Sequence, residues 1–252
     1  MAKKILITGA AGRIGRALVE YIKTHKAGDY VLLLADLKEI NSEGNIKLDI
    51  TDLAACNKAC EGVDVVIHLA GVVSPESPYD AILPNNIVGT YNIFRAAHDA
   101  GVQRVVFASS AQVIEGYPLD IQVNAKMPIR PKNLYGVSKA YGEALASYFA
   151  YQEGIEAIAV RIGAFEYPEE WKHMGSRDLS AWASPRDICT LLVHCVEADL
   201  VDGPFLIAHG ISNNRFKRLD LTETSERLRY IPEDDAFEVW DVGLKRSSIP
   251  NS

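Results

Sequence analysis

The stretch Lys4-Ile5-Leu6-Ile7-Thr8-Gly9-Ala10-Ala11-Gly12-Arg13-Ile14-Gly15 decides how this chain folds. Lys4–Thr8 reads as a buried strand, with an aliphatic run at its centre. Glycines at 9, 12 and 15 follow at once in the pattern GxxGxxG. Arg13–His25 then places Ile14, Leu18 and Ile22 at helical spacing. Strand, glycine turn and helix in that order form a cradle for a pyrophosphate. The glycines permit a tight turn and close backbone approach. The helix N-terminus offers free N–H groups and the positive end of its dipole. Gly9, Ala11, Gly12, Arg13, Ile14 and Gly15 are therefore expected to hold a dinucleotide.

The same alternation continues along the chain. Strands are expected at Tyr30–Asp36, Ile46–Leu48, Asp64–Leu69, Arg104–Ser109, Glu156–Ile162 and Pro204–Ala208. Helices are expected at Leu53–Cys60, Pro78–Ala100, Leu134–Glu153 and Pro185–Ala198, with Pro84 near the start of the second or at a kink in it. Continuously apolar strands that alternate with helices predict an α/β fold, a Rossmann-type doubly wound parallel sheet. Residues 1–252 read as one such domain. Residues 164–184, rich in charge, aromatics, Gly and Pro, are expected to be a loop or lid. Residues 211–252 read as a polar appendage, helical near Leu221–Tyr230 and mobile at its end.

The chain has 252 residues, 48% of them hydrophobic, and a formal net charge of -7. That is enough apolar material for a sizeable core, and the acidic balance argues against a nucleic-acid or anionic-membrane partner. No apolar run approaches the ~18 residues of a membrane span. Met1-Ala2-Lys3-Lys4-Ile5 enters a strand directly, without the pattern of a signal segment. Cys56, Cys60, Cys189 and Cys195 form no CxxC pair and read as reduced, packed thiols, so a cytoplasmic location is expected. The histidines lack zinc-ligand spacing, and no metal is expected.

Asp36 ends the second strand. A carboxylate there hydrogen-bonds ribose hydroxyls and repels a 2′-phosphate, which favours NAD over NADP. Arg13 either softens that preference or points to solvent or the pyrophosphate. Asp49-Ile50 follows the third strand, where the acid either faces an adenine amine or belongs to a helix N-cap region. Leu69-Ala70-Gly71 lets a cofactor pass close to the sheet edge. Tyr135 and Lys139 stand at i and i+4 of one helix, so phenol and ammonium reach one small volume. The cation is expected to draw the tyrosine pKa down from ~10, making it a general base on a hydroxyl.

These motifs, spread over residues 3–210 together with Asn86-Ile87-Val88-Gly89-Thr90 and Ser109-Ser110, resemble the extended short-chain dehydrogenase/reductase family. Within it the likeness is nearest to the uronate dehydrogenases, on Arg104–Ser110, Leu134–Lys139, Val160–Gly163 and Arg177–Asp187. The resemblance implies an NAD-dependent oxidoreductase that takes a hexuronate such as galacturonate or glucuronate at C1 to the aldarolactone. In it Tyr135 would be the base, Lys139 the holder of the nicotinamide ribose, and Ser110 a donor to the substrate oxygen. It further implies that Asn86 anchors the long helix or a relay water. Arg177 would either pair with the substrate carboxylate or be a solvated lid residue, and Ser74 would either contact substrate or shape a turn. Ala111, Gln112 and Ala164 stand where uronate dehydrogenases carry Asn, His and Ser, which bears on the substrate. The alternatives are an aldose or sugar-phosphate dehydrogenase, with Lys172 and His173 beside Arg177 for a phosphate, a nucleotide-sugar epimerase or dehydratase, and an NAD(P)-sensing regulator. Relatives pair their long helices, and a homo-oligomer, dimer or higher, is expected on that analogy.

Overall fold

The protein is described by a computed structural model covering residues 2–42, 44–171 and 175–242. The strands are β1 (Lys3–Thr8), β2 (Tyr30–Asp36), β3 (Asn45–Lys47), β4 (Val65–His68), β5 (Arg104–Ser110), β6 (Glu156–Ile162), β7 (Ala164–Phe165), β8 (Trp182–Ala183) and β9 (Phe205–Gly210). Seven of them form one parallel sheet in the order β3-β2-β1-β4-β5-β6-β9, as the alternating pattern predicts. The helices are α1 (Arg13–His25), α2 (Leu53–Cys60), α3 (Tyr79–Ile82), α4 (Thr90–Asp99), α5 (Leu134–Gln152), α6 (Ser176–Ala181), α7 (Pro185–Glu197), α8 (Thr222–Leu228) and α9 (Ala236–Val239).

Side chains along a strand alternate between faces, and here that alternation sorts the core into two layers. Ile5, Ile7, Val106, Ile158 and Val160 face one side, packed against Leu18 and Ile22 of α1 and Ile188 and Leu192 of α7. Leu6, Val66, Val105, Phe107 and Ala159 face the other, packed against Cys56 of α2, Phe94 of α4 and Phe149 of α5. The sheet grows outward in both directions from the β1–β4 pair, so the chain leaves these two strands on opposite courses. A crevice opens at their carboxyl ends, the place where open α/β sheets bind ligands.

The expected long helix after β4 is continuous but not uniform. Leu83–Gly89, containing Pro84, is a π-helical segment between α3 and α4. Proline has no N–H to donate, and the wider turn accommodates its ring. Asn86, in this segment, is 2% exposed and its side chain is fully engaged. Its Oδ1 accepts from Val72 N at 2.7 Å, and its Nδ2 donates to Val72 O at 3.0 Å and to Ser138 Oγ at 2.9 Å. It ties the loop after β4 to α5.

Residues 164–184, expected as a loop, carry more order than that. β7 and β8 pair in parallel, and α6 lies between them. Elements of two residues are too short to show a period, so nothing in the sequence pattern reveals them. The stretch after Ser212 contains α8 and α9, and Arg229 ends α8 in the left-handed conformation. Lys172, His173 and the chain end after residue 242 lie outside the described residues. No described helix is long and apolar enough to cross a membrane.

Candidate active site

A cleft of about 710 Å³ runs along the carboxyl ends of β1, β2, β4, β5 and β6. One end is built by the glycine turn. Gly9 has a φ of 73°, and a Cβ there would stand 2.7 Å from Ala70 N. A Cβ on Gly15 would stand 2.4 Å from Gly9 O. Only glycine lets β1, the loop after β4 and α1 approach this closely. Gly12 is the N-cap of α1 with no side-chain cap, which leaves the first N–H groups of the helix to the cleft. Asp36 sits beside them. Its Oδ2 accepts from Ala11 N at 3.0 Å and its Oδ1 from Lys38 N at 2.9 Å, which fixes the carboxylate at the rim.

Asp49 and Ile50 line the same end. Asp49 accepts from the backbone and hydroxyl of Thr51, and those bonds hold it below its ordinary range. The N-cap of α2 is Asp52 instead, whose Oδ1 accepts from Ala55 N. Ile50 explains Gly89, since a Cβ on Gly89 would stand 2.6 Å from Ile50 Cδ1. Arg13 lines the cleft as well, but reaches across it to Glu166 at 2.7 Å and Glu170 at 2.5 Å. Leu69, Ala70 and Gly71 complete the wall.

The other end holds Ser110, Tyr135 and Lys139 together. Ser110 closes β5. Its neighbour Ser109 donates to Glu143 Oε1 at 2.6 Å inside the core, whereas the Ser110 hydroxyl bonds the Tyr135 phenol. Strand alternation thus separates two serines that look alike in sequence. Asn133 starts α5, its Oδ1 accepting from Gly136 N at 2.7 Å while its Nδ2 donates to Gln112 Oε1 at 2.9 Å. Gly136 is needed because a Cβ would stand 2.4 Å from Gln112 O, and Gly142 because a Cβ would stand 2.2 Å from Phe107 Cζ. The helix therefore lies flat on β5 and presents Tyr135 and Lys139 to the cleft.

The electrostatics differ from the sequence-based expectation. Burial pushes the Tyr135 phenol above its ordinary 10, and the Ser110 hydrogen bond pulls against that. The net shift is upward although Lys139 lies one helical turn away. Its Nζ lies 5.7 Å from the Tyr135 ring centroid and 4.9 Å from that of Phe107, and burial pushes the ammonium down to about 8. A lysine enclosed without a carboxylate partner loses hydration, which disfavours its charged form. Behind it, His68 is fully buried with Nδ1 2.7 Å from Thr8 Oγ1. Burial first, and then Lys139, push that imidazole down to about 3, so it is neutral.

The remaining expected substrate contacts divide. Ala111, Gln112, Ala164 and Arg177 line the cleft. Ser74 does not, because its hydroxyl donates to Glu76 at 2.5 Å within a turn. Asn86 is consumed by Val72 and Ser138, which leaves it a positioning role rather than a contact with a cofactor. Arg177 is not free. Its Nε donates to Glu115 Oε1 at 2.9 Å and its Nη2 to Glu115 Oε2 at 2.8 Å, while Nη1 reaches Asp178 at 3.3 Å. Glu115 gives no signal in sequence, since it stands in an irregular segment far from Arg177 along the chain.

The cradle fits a dinucleotide on the chain's own terms. The glycine positions admit no Cβ, an uncapped helix N-terminus faces the cleft, and a carboxylate stands at the ribose end. The model of the NAD dependent epimerase/dehydratase family matches residues 5–184, and the chain belongs to that family. An NAD-dependent glucose-6-phosphate dehydrogenase from Haloferax volcanii is 36% identical, over 94% of this chain and 96% of that protein. An L-arabinose 1-dehydrogenase (NAD(P)(+)) from the same organism is 35% identical, over 94% of this chain and 98% of its own length. A solved structure of uronate dehydrogenase from Agrobacterium tumefaciens, a tyrosine-to-alanine mutant complexed with NAD, superposes with a TM-score of 0.83. It is 34% identical, with 100% of this chain and 93% of that one covered. The resemblance to extended short-chain dehydrogenases and to uronate dehydrogenases is borne out, and the protein is an NAD-dependent oxidoreductase.

Proposed function

We propose that this protein oxidises C1 of a small cyclic sugar, a hexuronate or the aldose of the same ring, to the lactone. The observation that carries this reading is the meeting of Ser110, Tyr135 and Lys139 at one end of a cleft whose other end is a dinucleotide cradle. Gly9, Gly12 and Gly15 would take the pyrophosphate, Asp36 the adenosine ribose and Lys139 the nicotinamide ribose. NAD, when bound, accepts the C1 hydride with its two electrons, so sugar and NAD+ give lactone, NADH and one proton.

Tyr135 as phenolate takes the proton from the C1 hydroxyl, and Ser110 donates its one hydroxyl proton to the same oxygen. Lys139, fixed one helical turn away, orients the ribose. Relatives of near-equal identity are named for uronate, glucose 6-phosphate and arabinose, so similarity alone does not choose among them. Arg177 at the cleft wall supports a hexuronate; its pairing with Glu115 favours the aldose.

The test is to incubate the purified protein with NAD+ and galacturonate, glucuronate, free aldoses or glucose 6-phosphate. NADH absorbance is followed and the product identified by NMR. Lactone formed from a free sugar supports the reading. Turnover of the phosphate ester alone defeats it, and so does tight NAD binding without turnover of any sugar, the behaviour of a sensor.

A further inference from the structure

We infer that Glu115 is a specificity-determining residue that occupies Arg177 in place of a sugar carboxylate and turns the site toward uncharged aldoses. The inference rests on the C1-oxidation reading and concerns only the group the sugar carries away from C1.

Besides Lys139, Arg177 is the cleft-lining cation on the substrate side among the described residues. Its fork already faces a carboxylate in the two-bond arrangement that makes arginine a good carboxylate receptor. The third nitrogen is engaged by Asp178. Glu115 is 8% exposed as a residue, and the side chains of the pair are 11% and 22% exposed. Arg177 thus lines the cleft, Glu115 holds it from outside the lining, and the pair is not a surface ion pair.

Its neighbours add no spare charge. Arg218 lies close enough to feel both Glu115 and Arg177. Its guanidinium is engaged by the carbonyls of Tyr117, Pro118 and Ile121, in the segment just after Glu115. Two cations therefore stand against Glu115 and Asp178, with Asp120 nearby.

A hexuronate carboxylate entering here has two options. It displaces Glu115 and leaves a buried carboxylate unpaired, or it approaches a wall with no net positive charge. Both are costly, because a buried charge that loses its partner keeps its full desolvation penalty. An uncharged sugar meets no such cost. The Arg177–Glu115 fork stays closed, and nothing has to be broken. Ala111 and Ala164 agree with this, since neither offers a donor to a second anion. Selectivity of this kind works by penalising the wrong ligand rather than by added attraction to the right one.

The experiment compares kcat/KM for matched pairs, galactose with galacturonate and glucose with glucuronate, in the wild type and in Glu115→Gln. The amide keeps the shape of the side chain and frees the charge of Arg177. The wild type should prefer each aldose to its uronate, and Glu115→Gln should raise the uronate-to-aldose ratio at least about tenfold, a shift of about 1.4 kcal/mol. Thermal shift by the same sugars with NADH present should move in the same order, which reads binding apart from turnover. A wild type that prefers the uronates overturns the inference whether or not the variant folds. So does a ratio that Glu115→Gln leaves unchanged while NAD binding is intact. A wild type that binds NAD and yields no lactone from any sugar instead removes the C1-oxidation reading beneath it.

Discussion

Two arginine–glutamate forks lie at different depths in this protein, and they do different work. Arg161 on β6 meets Glu143 on α5 at 2.8 Å through both Nε and Nη2, with side chains 1% and 5% exposed. Glu143 also accepts from Ser109, so the fork locks α5 to β5 and β6. Arg177 meets Glu115 with the same geometry, but there the arginine lines the cleft. The same chemistry is sealed in one place and accessible to ligand in the other. Along α5 the division runs within one helix, where Tyr135 and Lys139 face the cleft and Glu143 faces the core. Changes on the cleft side should cost function and spare stability, and changes on the sealed side should do the reverse.

The largest effect is expected at Tyr135. Tyr135→Phe should lower kcat by about 10²–10⁴-fold, the usual contribution of a positioned base, with NAD affinity and thermal unfolding unchanged. Wild-type turnover should rise with pH, because burial holds the phenol above its ordinary 10, and the variant should lose that rise. Retention of most activity would show that another group takes the proton.

Next comes the sealed fork. Glu143→Ala leaves Arg161 buried and uncompensated, and urea unfolding should report a loss of about 3–5 kcal/mol. A loss under 1 kcal/mol would mean that the two forks do not differ in the way described.

Lys139→Met should act in the opposite sense on stability. The drop from the ordinary 10.5 to about 8 corresponds to an upper bound of about 3 kcal/mol held against folding. The folded pKa is below the unfolded one, so the unfolded chain binds more protons between pH 8 and 10.5, and wild-type stability rises with pH across that window. Below pH 8 the methionine variant should be the more stable protein while turnover collapses. A variant no more stable at pH 7 than the wild type would show that the buried ammonium is otherwise compensated.

The smallest effect belongs to Arg13, half-exposed and paired with Glu166 and Glu170. Arg13→Ala should change unfolding free energy by less than about 1 kcal/mol, as exposed pairs do. A larger change would make this contact a third fork of consequence.

Much of the coenzyme half is legible in the amino-acid order. Gly9, Gly12, Gly15 and Asp36 are local: one strand, one turn and one helix specify their neighbours, and the parallel sheet brings them to one crevice. Tyr135 and Lys139 are legible for the same reason, a helical spacing within a single element. The tyrosine's ionisation is not. It depends on how many atoms enclose the phenol, and that enclosure comes from β5 and the loops packed on α5. Nor is the order within 164–184, where β7 and β8 pair across a segment that holds α6.

Sequence pattern settled the architecture, the glycine turn and the placing of Tyr135 one helical turn from Lys139, because hydrophobic period, turn chemistry and i, i+4 spacing act between near neighbours. Three-dimensional packing alone settled that Ser109 is the serine that bonds Glu143, that Ser74 and Asn86 are taken up by turn and backbone, and that Arg177 already has a carboxylate. Except for Ser74, which bonds its near neighbour Glu76, each of those outcomes is a competition among hydrogen-bonding partners distant in the chain. The winner is whichever partner the folded backbone brings within about 3 Å.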